Sequence, residues 1–301
     1  MAAIHTQTAR LQCVSGAARA KMKKQVICIF WGTKYSPEYV NRLYRGVARH
    51  TTPPFTFHCI TDSTEQFDEG VETIPLPEMG CEMPTGTWGI WGKSRLWSER
   101  LGDLSGPVLF LDIDSVIVGS LDPFFEFGDP GDVIAARNPN RPHERMGQTS
   151  LFRFPVGKLA PMREKFLSDP QGIADEYRFE QRFLTRNAPG GISFWPRGWV
   201  AVFRWHCIQW FPLNYFFEPR KPKKARVVIF PGRLNPTDAI KGRWEDAYPA
   251  MNRRDYLAAI FTQKRGERAK LWSHLRHFLF PTKWVAEAWY GTDSKTGEPS
   301  E

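Results

Sequence analysis

The run VLFLDID at residues 108–114 decides the fold. Its first four residues are apolar on both faces, which is typical of a strand buried in a parallel sheet. Asp112 and Asp114 follow directly, and alternation along an extended chain puts both carboxylates on one side. Neighbouring carboxylates raise each other's pKa, and a hard divalent cation with oxygen ligands relieves that repulsion. The run therefore predicts a metal site at a strand end, although two exposed acids in a turn would give the same letters.

Strand and helix patterns precede this run. Residues 25–31, QVICIFW, predict a buried strand, and residues 55–60 predict a second one. Between them Ser36 is the expected N-cap and Pro37 the expected first helical residue, so a helix joins the two strands. Strand, helix and strand in this order predict a βαβ unit. The expected fold class is α/β, with a mixed, mostly parallel sheet flanked by helices.

Weaker patterns continue the alternation after residue 62. The chain has 301 residues, of which 42% are hydrophobic, and this suffices for one large core. Further elements are expected as a helix at 93–101, strands at 116–118 and 133–136, mostly helix at 161–187, loops at 188–200 and a strand at 227–230.

The charge and the cysteines narrow the class of protein. The formal net charge is +9, which favours a nucleic acid, an anionic membrane or a phosphorylated substrate as partner. No nucleic-acid-binding motif is present, and the basic residues cluster only near the carboxyl terminus. The cysteines are odd in number and form no CxxC pair, which argues against a disulfide framework and a zinc site. They are Cys13, Cys28, Cys59, Cys81 and Cys207.

The expected compartment is reducing, and we predict a cytoplasmic protein. Cys28 and Cys59 lie in apolar runs and are expected as small core residues. No run of about 18 apolar residues predicts a membrane-spanning helix. Residues 1–24 include basic residues but no acid, and we interpret them as a flexible leader. The alternatives are that Met22 is the functional start and that the segment is a transit peptide.

The central run also carries a family resemblance. Residues 108–114, followed by 116–118 and by LDPF at 121–124, resemble the metal-binding segment of GT-A glycosyltransferases, above all family 8 and its bacterial relatives. The resemblance spans residues 25–262. It implies a GT-A, Rossmann-like fold and transfer of a sugar from a nucleotide-diphosphate donor, expected to be UDP-linked, to a glycan or lipid-linked acceptor. It also implies Mn²⁺ or Mg²⁺ on Asp112 and Asp114, and a role in envelope polysaccharide assembly.

The resemblance assigns roles to two residues near the base of the donor and to two near its phosphates. Thr33, after the first strand, and Asp62, after the second, would contact the base or ribose. Lys93 and Arg95 lie in an aromatic-rich lead into a helix, where they would assist the diphosphate. Ordinary loop chemistry and a solvated helix face are the competing interpretations.

The donor sugar would lie against a third segment. Glu180 and Gln181 resemble an Asp-Gln pair that lines the donor sugar pocket, and they are the predicted catalytic residues. Glutamate in the first position lengthens the reach by one methylene. A surface helix acid is the alternative. Whether the reaction retains or inverts the anomeric centre stays open.

The late segment around residue 231 departs from the resemblance. Pro231 stands where a metal-binding His is usual, so the third metal ligand is missing. Gly232 would still permit close approach of its backbone to the phosphates, and Arg233 would add charge. Arg204 stands where Lys is usual, and His206 is most simply structural. A catalytically silent sugar-nucleotide-binding or scaffold protein, and a nucleotidyltransferase, therefore remain alternatives.

The chain becomes basic and aromatic near its end. We expect a leader at 1–24, a GT-A domain at 25–262 and a C-terminal extension at 263–301. Residues 264–284 predict a basic amphipathic helix that presents one apolar face. Packing on the protein's own core is the favoured interpretation, and peripheral contact with the inner face of an anionic membrane is the alternative.

Overall fold

The structure is a computed structural model, and it describes residues 22–244, 250–262 and 268–291. The strands are β1 Lys24–Phe30, β2 Phe55–Thr61, β3 Val71–Pro75, β4 Pro107–Leu111, β5 Val116–Ile117, β6 Val133–Arg137, β7 Gly147–Pro155, β8 Ile192–Phe194, β9 Val200–Val202 and β10 Val227–Ile229. The α-helices are α1 Glu38–His50, α2 Asp122–Glu126, α3 Ala160–Ser168, α4 Pro170–Tyr177, α5 Glu180–Asn187, α6 Pro236–Lys241, α7 Arg253–Thr262, α8 Arg268–Arg276 and α9 Lys283–Tyr290.

A seven-stranded sheet forms the centre of the molecule, in the order β3-β2-β1-β4-β7-β6-β8. Strand β7 runs antiparallel to both of its neighbours, β4 and β6, whereas the other described pairings of this sheet are parallel. The carboxyl ends of β1, β2, β4 and β6 therefore meet at one edge. Ligands bind at this edge in open α/β sheets, and the predicted mostly parallel α/β fold is confirmed.

Both faces of the large sheet are covered, as the apolar runs predict. In β1, Ile27 and Ile29 belong to the core on one face, while Val26 and Cys28 belong to the core on the other. Helix α1 covers the second face with Val40, Leu43 and Val47. Because β1 is buried on both faces, its sequence is continuously apolar rather than alternating.

A small second sheet lies beyond the edge of the first, in the order β5-β10-β9. Strand β5 follows Asp114 after one residue and pairs antiparallel with β10, with Val116 opposite Val228. This register places the residues that follow β10 beside those that precede β5. The late segment around Pro231 is thereby brought to the strand end that carries the two aspartates.

Several local predictions need correction. Residues 93–101 do not form an α-helix, because a 3₁₀ helix spans Trp91–Trp97 and the chain then turns. Ser36 is not an N-cap with a side-chain hydrogen bond, since α1 begins at Glu38 and Ser36 contributes its carbonyl to Tyr39. The expected helix at 161–187 is divided into α3, α4 and α5, partly because Asp169 caps α4 at Gly172.

The carboxyl-terminal prediction is partly wrong. Helix α8 ends at Arg276, so Phe278 and Leu279 lie beyond it and do not share its face. Both are buried in the protein's own core, as the favoured interpretation expects, whereas Trp272 is 51% exposed. Residues 263–267 and the end of the extension lie outside the described residues. None of the helices in the described ranges combines the length and apolarity that crossing a membrane requires.

Candidate active site

The two aspartates lie where the most deeply buried strand leaves the sheet. Strand β4 is enclosed by β1 and β7, and Asp112 continues its ladder by donating its backbone N–H to the Ser150 carbonyl at 2.8 Å. The chain then turns, because the Ser115 N–H donates to the Asp112 carbonyl at 3.0 Å. Both carboxylates therefore lie at the carboxyl edge of the sheet, on a rigid support.

A buried lysine neutralises the first carboxylate. Lys93 is only 6% exposed, and its Nζ lies 2.6 Å from Oδ1 and 2.8 Å from Oδ2 of Asp112. Burial by itself would lower the pKa of Lys93, but the charges of Asp112 and Glu180 outweigh it, so the net shift is upward. Lys93 is therefore a permanent cation that holds Asp112 in place.

The position of Lys93 depends on the residue before it. A Cβ on Gly92 would lie 3.0 Å from the Trp31 ring, so glycine lets the 3₁₀ turn approach the end of β1 without displacing that ring. The sequence predicted a role for Lys93 at the donor phosphates. In the structure, its ammonium group forms an ion pair with Asp112.

The second carboxylate has a different environment. Oδ2 of Asp114 accepts a hydrogen bond from the Tyr35 hydroxyl at 2.9 Å. Burial, followed by repulsion from Asp112, raises the pKa of Asp114 to about 7, although the Tyr35 hydrogen bond and Lys93 oppose this shift. Tyr35 was not predicted as a site residue. Its proximity to Thr33 in the loop after β1 is the only signal that the sequence offered.

The pair of carboxylates is suited to a hard divalent cation. Burial is the first cause of the raised pKa of Asp114, and the charge of Asp112 adds to it more than Lys93 offsets. Within the described ranges, no three His, Cys, Asp or Glu side chains gather as a metal-binding group. A cation bound by Asp112 and Asp114 would therefore need phosphate and water oxygens to complete its coordination.

Glu180 and Gln181 begin α5 beside this cluster. Glu180 is 4% exposed; its Oε2 accepts the Ile90 N–H at 3.0 Å and its Oε1 accepts the Thr149 hydroxyl at 3.2 Å. Gln181 accepts a hydrogen bond from the Asn138 side chain at 2.9 Å. Glu180 thus ties the start of the 3₁₀ turn to β7, and Gln181 faces the carboxyl end of β6.

Of the remaining predicted donor-binding residues, Thr33, Asp62 and Gly232 are open to a ligand, whereas Arg95 already has a hydrogen-bond partner. Thr33 and Asp62 are exposed at the carboxyl ends of the adjacent strands β1 and β2, on the same edge as Asp112. Gly232 has a φ of +108°, and no atom lies within 4 Å of a Cβ built there, so its backbone faces open space. Arg95 differs, because its Nε donates to the Pro77 carbonyl at 2.9 Å.

Solved structures show the same arrangement of the chain. The galactosyltransferase LgtC in complex with donor and acceptor sugar analogues superposes with a TM-score of 0.50 at 16% identity, covering 82% of this chain and 99% of that one. An active-site mutant of LgtC gives 0.51 at 13% identity, with the same coverage. The chain has the GT-A fold. A further GT-A match is the glycosyltransferase GlyE of Streptococcus pneumoniae, with a TM-score of 0.51 at 13% identity over 93% of this chain and 66% of that one.

The likeness is one of GT-A architecture rather than of sequence. No protein-family model matches the chain, and no curated protein sequence does either. Within the GT-A fold, the described cluster of Asp112, Asp114, Lys93 and Glu180 lies at the carboxyl edge of the sheet, where this class of fold binds ligands.

Proposed function

We propose that the protein is a glycosyltransferase that moves a sugar from a nucleoside-diphosphate donor, expected to be UDP-linked, to a hydroxyl group of an acceptor. The observation that carries the proposal is the pair of crowded carboxylates, Asp112 and Asp114, at the ligand-binding edge of a GT-A fold. Cleavage of the sugar–phosphate bond develops negative charge on the departing diphosphate. A site that favours a divalent cation suits that reaction.

Each residue of the cluster has a part in this proposal. Asp112 and Asp114 would hold Mn²⁺ or Mg²⁺, and the bound ion would stabilise the charge of the leaving diphosphate as a Lewis acid. Lys93 pairs with Asp112 and orients its carboxylate through their 2.6 Å contact. Tyr35 fixes Asp114 through its hydrogen bond. The open backbone at Gly232 leaves room for phosphate oxygens to approach.

The donor would lie along the edge of the sheet. Thr33 and Asp62 are proposed to contact the nucleoside, because they are exposed and follow β1 and β2, the next two strands on one side of β4. The sugar is proposed to extend the other way, toward Gln181. Arg95 would reach the phosphates only by giving up its hydrogen bond to Pro77.

Nucleotide binding is the first experiment. We expect UDP with Mn²⁺ to raise the melting temperature by about 5 °C at a hundred times its Kd, because a ligand of the folded state alone adds about 2.7 kcal/mol. The rise should disappear without metal and in the double variant Asp112→Asn, Asp114→Asn. The matched control is Glu99→Gln with Asp103→Asn, which removes two exposed carboxylates elsewhere.

The products then decide between the transferase and its rivals. Release of UDP together with a new glycoside would support sugar transfer, and release of pyrophosphate would indicate a nucleotidyltransferase instead. Pro231 favours a second candidate, a sugar-nucleotide-binding protein without transfer activity, since it supplies no ligating side chain. Metal-dependent binding with neither transfer nor donor hydrolysis would support that candidate. No stabilisation by any nucleoside diphosphate at millimolar concentration would overturn the proposed function.

We also propose that the protein makes peripheral contact with an anionic membrane. In residues 210–217 and on α8, five large apolar side chains are between 45% and 79% exposed, and we call them the apolar surface: Trp210, Leu213, Phe216, Phe217 and Trp272. Residues 210–217 are in contact with α8, because the ring centroids of Phe211 and Trp272 lie 5.2 Å apart. Large exposed apolar patches mark interaction sites.

Arginines lie directly beside this apolar surface. The guanidinium groups of Arg220, Arg253 and Arg276 stand over the rings of Phe217, Phe216 and Trp272, at 5.4, 5.9 and 4.7 Å from their centroids. Aromatic rings flanked by cations suit the interface of an anionic bilayer, where rings enter the headgroup region and cations meet lipid phosphates. This complementarity favours a lipid surface over a neutral protein partner.

A further inference from the structure

A second pocket lies on the same edge of the sheet as the two aspartates. It has a volume of about 350 Å³ and is formed by the carboxyl end of β6, the loop after it, and the segment from β8 to β9 and beyond. We call it the arginine pocket after Arg137, Arg141 and Arg197, which line it with Trp195 and His206. This volume lies in the range of small-molecule sites.

The sheet fixes the distance between this pocket and the proposed donor site. Strand β7 separates β4 from β6: Asp112 donates to Ser150 on one side of it, and Ala136 pairs with Gln148 on the other. Two strand spacings amount to roughly 10 Å. The hydrogen bond from Asn138, which lines the pocket, to Gln181 joins the two sites directly.

The charge of the arginine pocket is strongly one-sided. Arg137, Arg141 and Arg197 are exposed, and none of the ion pairs in the described part of the chain includes them. Glu144 is the one acid among the lining residues, and it already binds Arg182 at 2.7 Å and Arg186 at 3.2 Å. Arg137, Arg141 and Arg197 are thus outside these ion pairs, although Arg141 lies near enough to Glu144 to help lower the pKa of that carboxyl.

A neutral donor adds to the three cations. Nδ1 of His206 accepts the Val202 N–H at 2.8 Å, which leaves Nε2 to carry the proton of the neutral ring. The lining of the pocket thus combines cationic donors with a neutral N–H donor.

We propose that the arginine pocket binds the acceptor, and that the acceptor carries an anionic group, a phosphate or a carboxylate, near the hydroxyl that receives the sugar. This inference rests on the proposed function, since it treats the other site as the donor site. Guanidinium groups bind both anions in a bidentate manner, and Arg137 keeps its N–H edges available while its face lies 4.3 Å from the Phe194 ring. A neutral glycan would offer these three exposed cations no charge to bind.

Calorimetric titration with simple sugars tests the pocket without requiring the donor. The probes are glucose 6-phosphate, glucuronic acid, glucose and inorganic phosphate, at one fixed ionic strength. We expect one of the two anionic sugars to bind at least tenfold more tightly than glucose and than inorganic phosphate. Which of the two binds better identifies the anion as phosphate or carboxylate.

Paired variants locate the binding. The double variant Arg141→Gln, Arg197→Gln should weaken binding of the preferred anionic sugar at least tenfold. The control Arg100→Gln, Arg254→Gln removes two exposed arginines elsewhere and should change it less than twofold. In the transfer assay, the pocket variant should raise the KM for the anionic acceptor while UDP still stabilises the protein.

Three results would overturn the inference. Glucose could bind as tightly as both anionic sugars, inorganic phosphate could bind as tightly as either, or the pocket and control variants could lose the same affinity. A failure of the proposed function is distinguishable, because UDP would then not stabilise the protein while the anionic sugar still bound in an Arg141- and Arg197-dependent way. That result would leave an anion pocket that is not an acceptor site.

Discussion

Glu180 connects two segments that are far apart in the chain. Its carboxylate accepts the Ile90 N–H ahead of the 3₁₀ turn and the Thr149 hydroxyl of β7, and it lies near enough to Lys93 to raise that pKa. The sequence predicted Glu180 as a catalytic residue. Its hydrogen bonds give it a positioning role as well, because the turn that it anchors carries Lys93 to Asp112.

Substitution of Glu180 separates positioning from direct catalysis. We expect Glu180→Ala to lower the free energy of unfolding by about 2 kcal/mol, because it leaves the buried Thr149 hydroxyl and the partly buried Ile90 N–H without their charged acceptor. Urea denaturation measures this change, with the exposed Glu176→Ala on α4 as the control. If the stability stays within 0.5 kcal/mol, a loss of transfer activity in the variant would instead indicate that the carboxylate touches the substrate.

Among the elements, α9 joins the carboxyl-terminal part of the chain to the core. Val285 and Trp289 are 0% and 2% exposed, in the cluster that contains Val116 and Val228 of the small sheet. Trp289 packs edge-on against Tyr39 of α1 at 5.3 Å. Because α1 also covers the large sheet, α9 connects the predicted carboxyl-terminal extension to the part of the molecule that carries the site.

Truncation of the tryptophan on α9 tests this connection. We expect Trp289→Ala to lower the free energy of unfolding by about 3–5 kcal/mol, through lost burial and the cavity left behind. The control is Trp88→Ala, since Trp88 is 83% exposed and should change stability by less than 0.5 kcal/mol. Equal effects of the two substitutions in urea denaturation would show that α9 is not an integral part of the core.

For the molecule as a whole, with its net charge of +9, arginines gather in two described regions. One is the arginine pocket beside the proposed donor site, and the other is the border of the apolar surface around Trp210 and Phe216. A cation at a bilayer surface contributes about 1 kcal/mol when the lipids are anionic, and salt weakens that contribution. The two proposed partners, an anionic acceptor and an anionic membrane, would therefore contact different groups of arginines.

Vesicle co-sedimentation tests the membrane contact. We expect binding to vesicles of phosphatidylglycerol and phosphatidylcholine to exceed binding to pure phosphatidylcholine at least tenfold, and to weaken with salt. The variant Trp210→Ser, Phe216→Ser should lose most of it, whereas the control Trp88→Ser, Met83→Ser removes exposed apolar side chains elsewhere. Equal binding to both kinds of vesicle, or equal losses in the two variants, would contradict the proposal.

The amino-acid sequence predicted those features of the fold that depend on residues adjacent along the chain. The apolar runs of β1, β2 and β4 predicted buried parallel strands because a strand covered on both faces cannot alternate with polar residues. The βαβ order and the place of the aspartates at a strand end followed from the same local patterns. The bounds of the helices were predicted less well. The cap that Asp169 gives α4 and the 3₁₀ turn at Trp91 depend on individual hydrogen bonds and packing contacts, which the hydrophobic periodicity does not show.

By itself, then, the sequence determined the α/β class, the buried strands and the two carboxylates that end one of them. Packing of distant segments was needed for Lys93, 19 positions before Asp112, to neutralise it, and for arginines that precede and follow β7 in the chain to share one pocket. The physical reason is that strand and turn preferences act over a few residues. Ion pairs and pockets instead depend on which distant segments the packed core brings together.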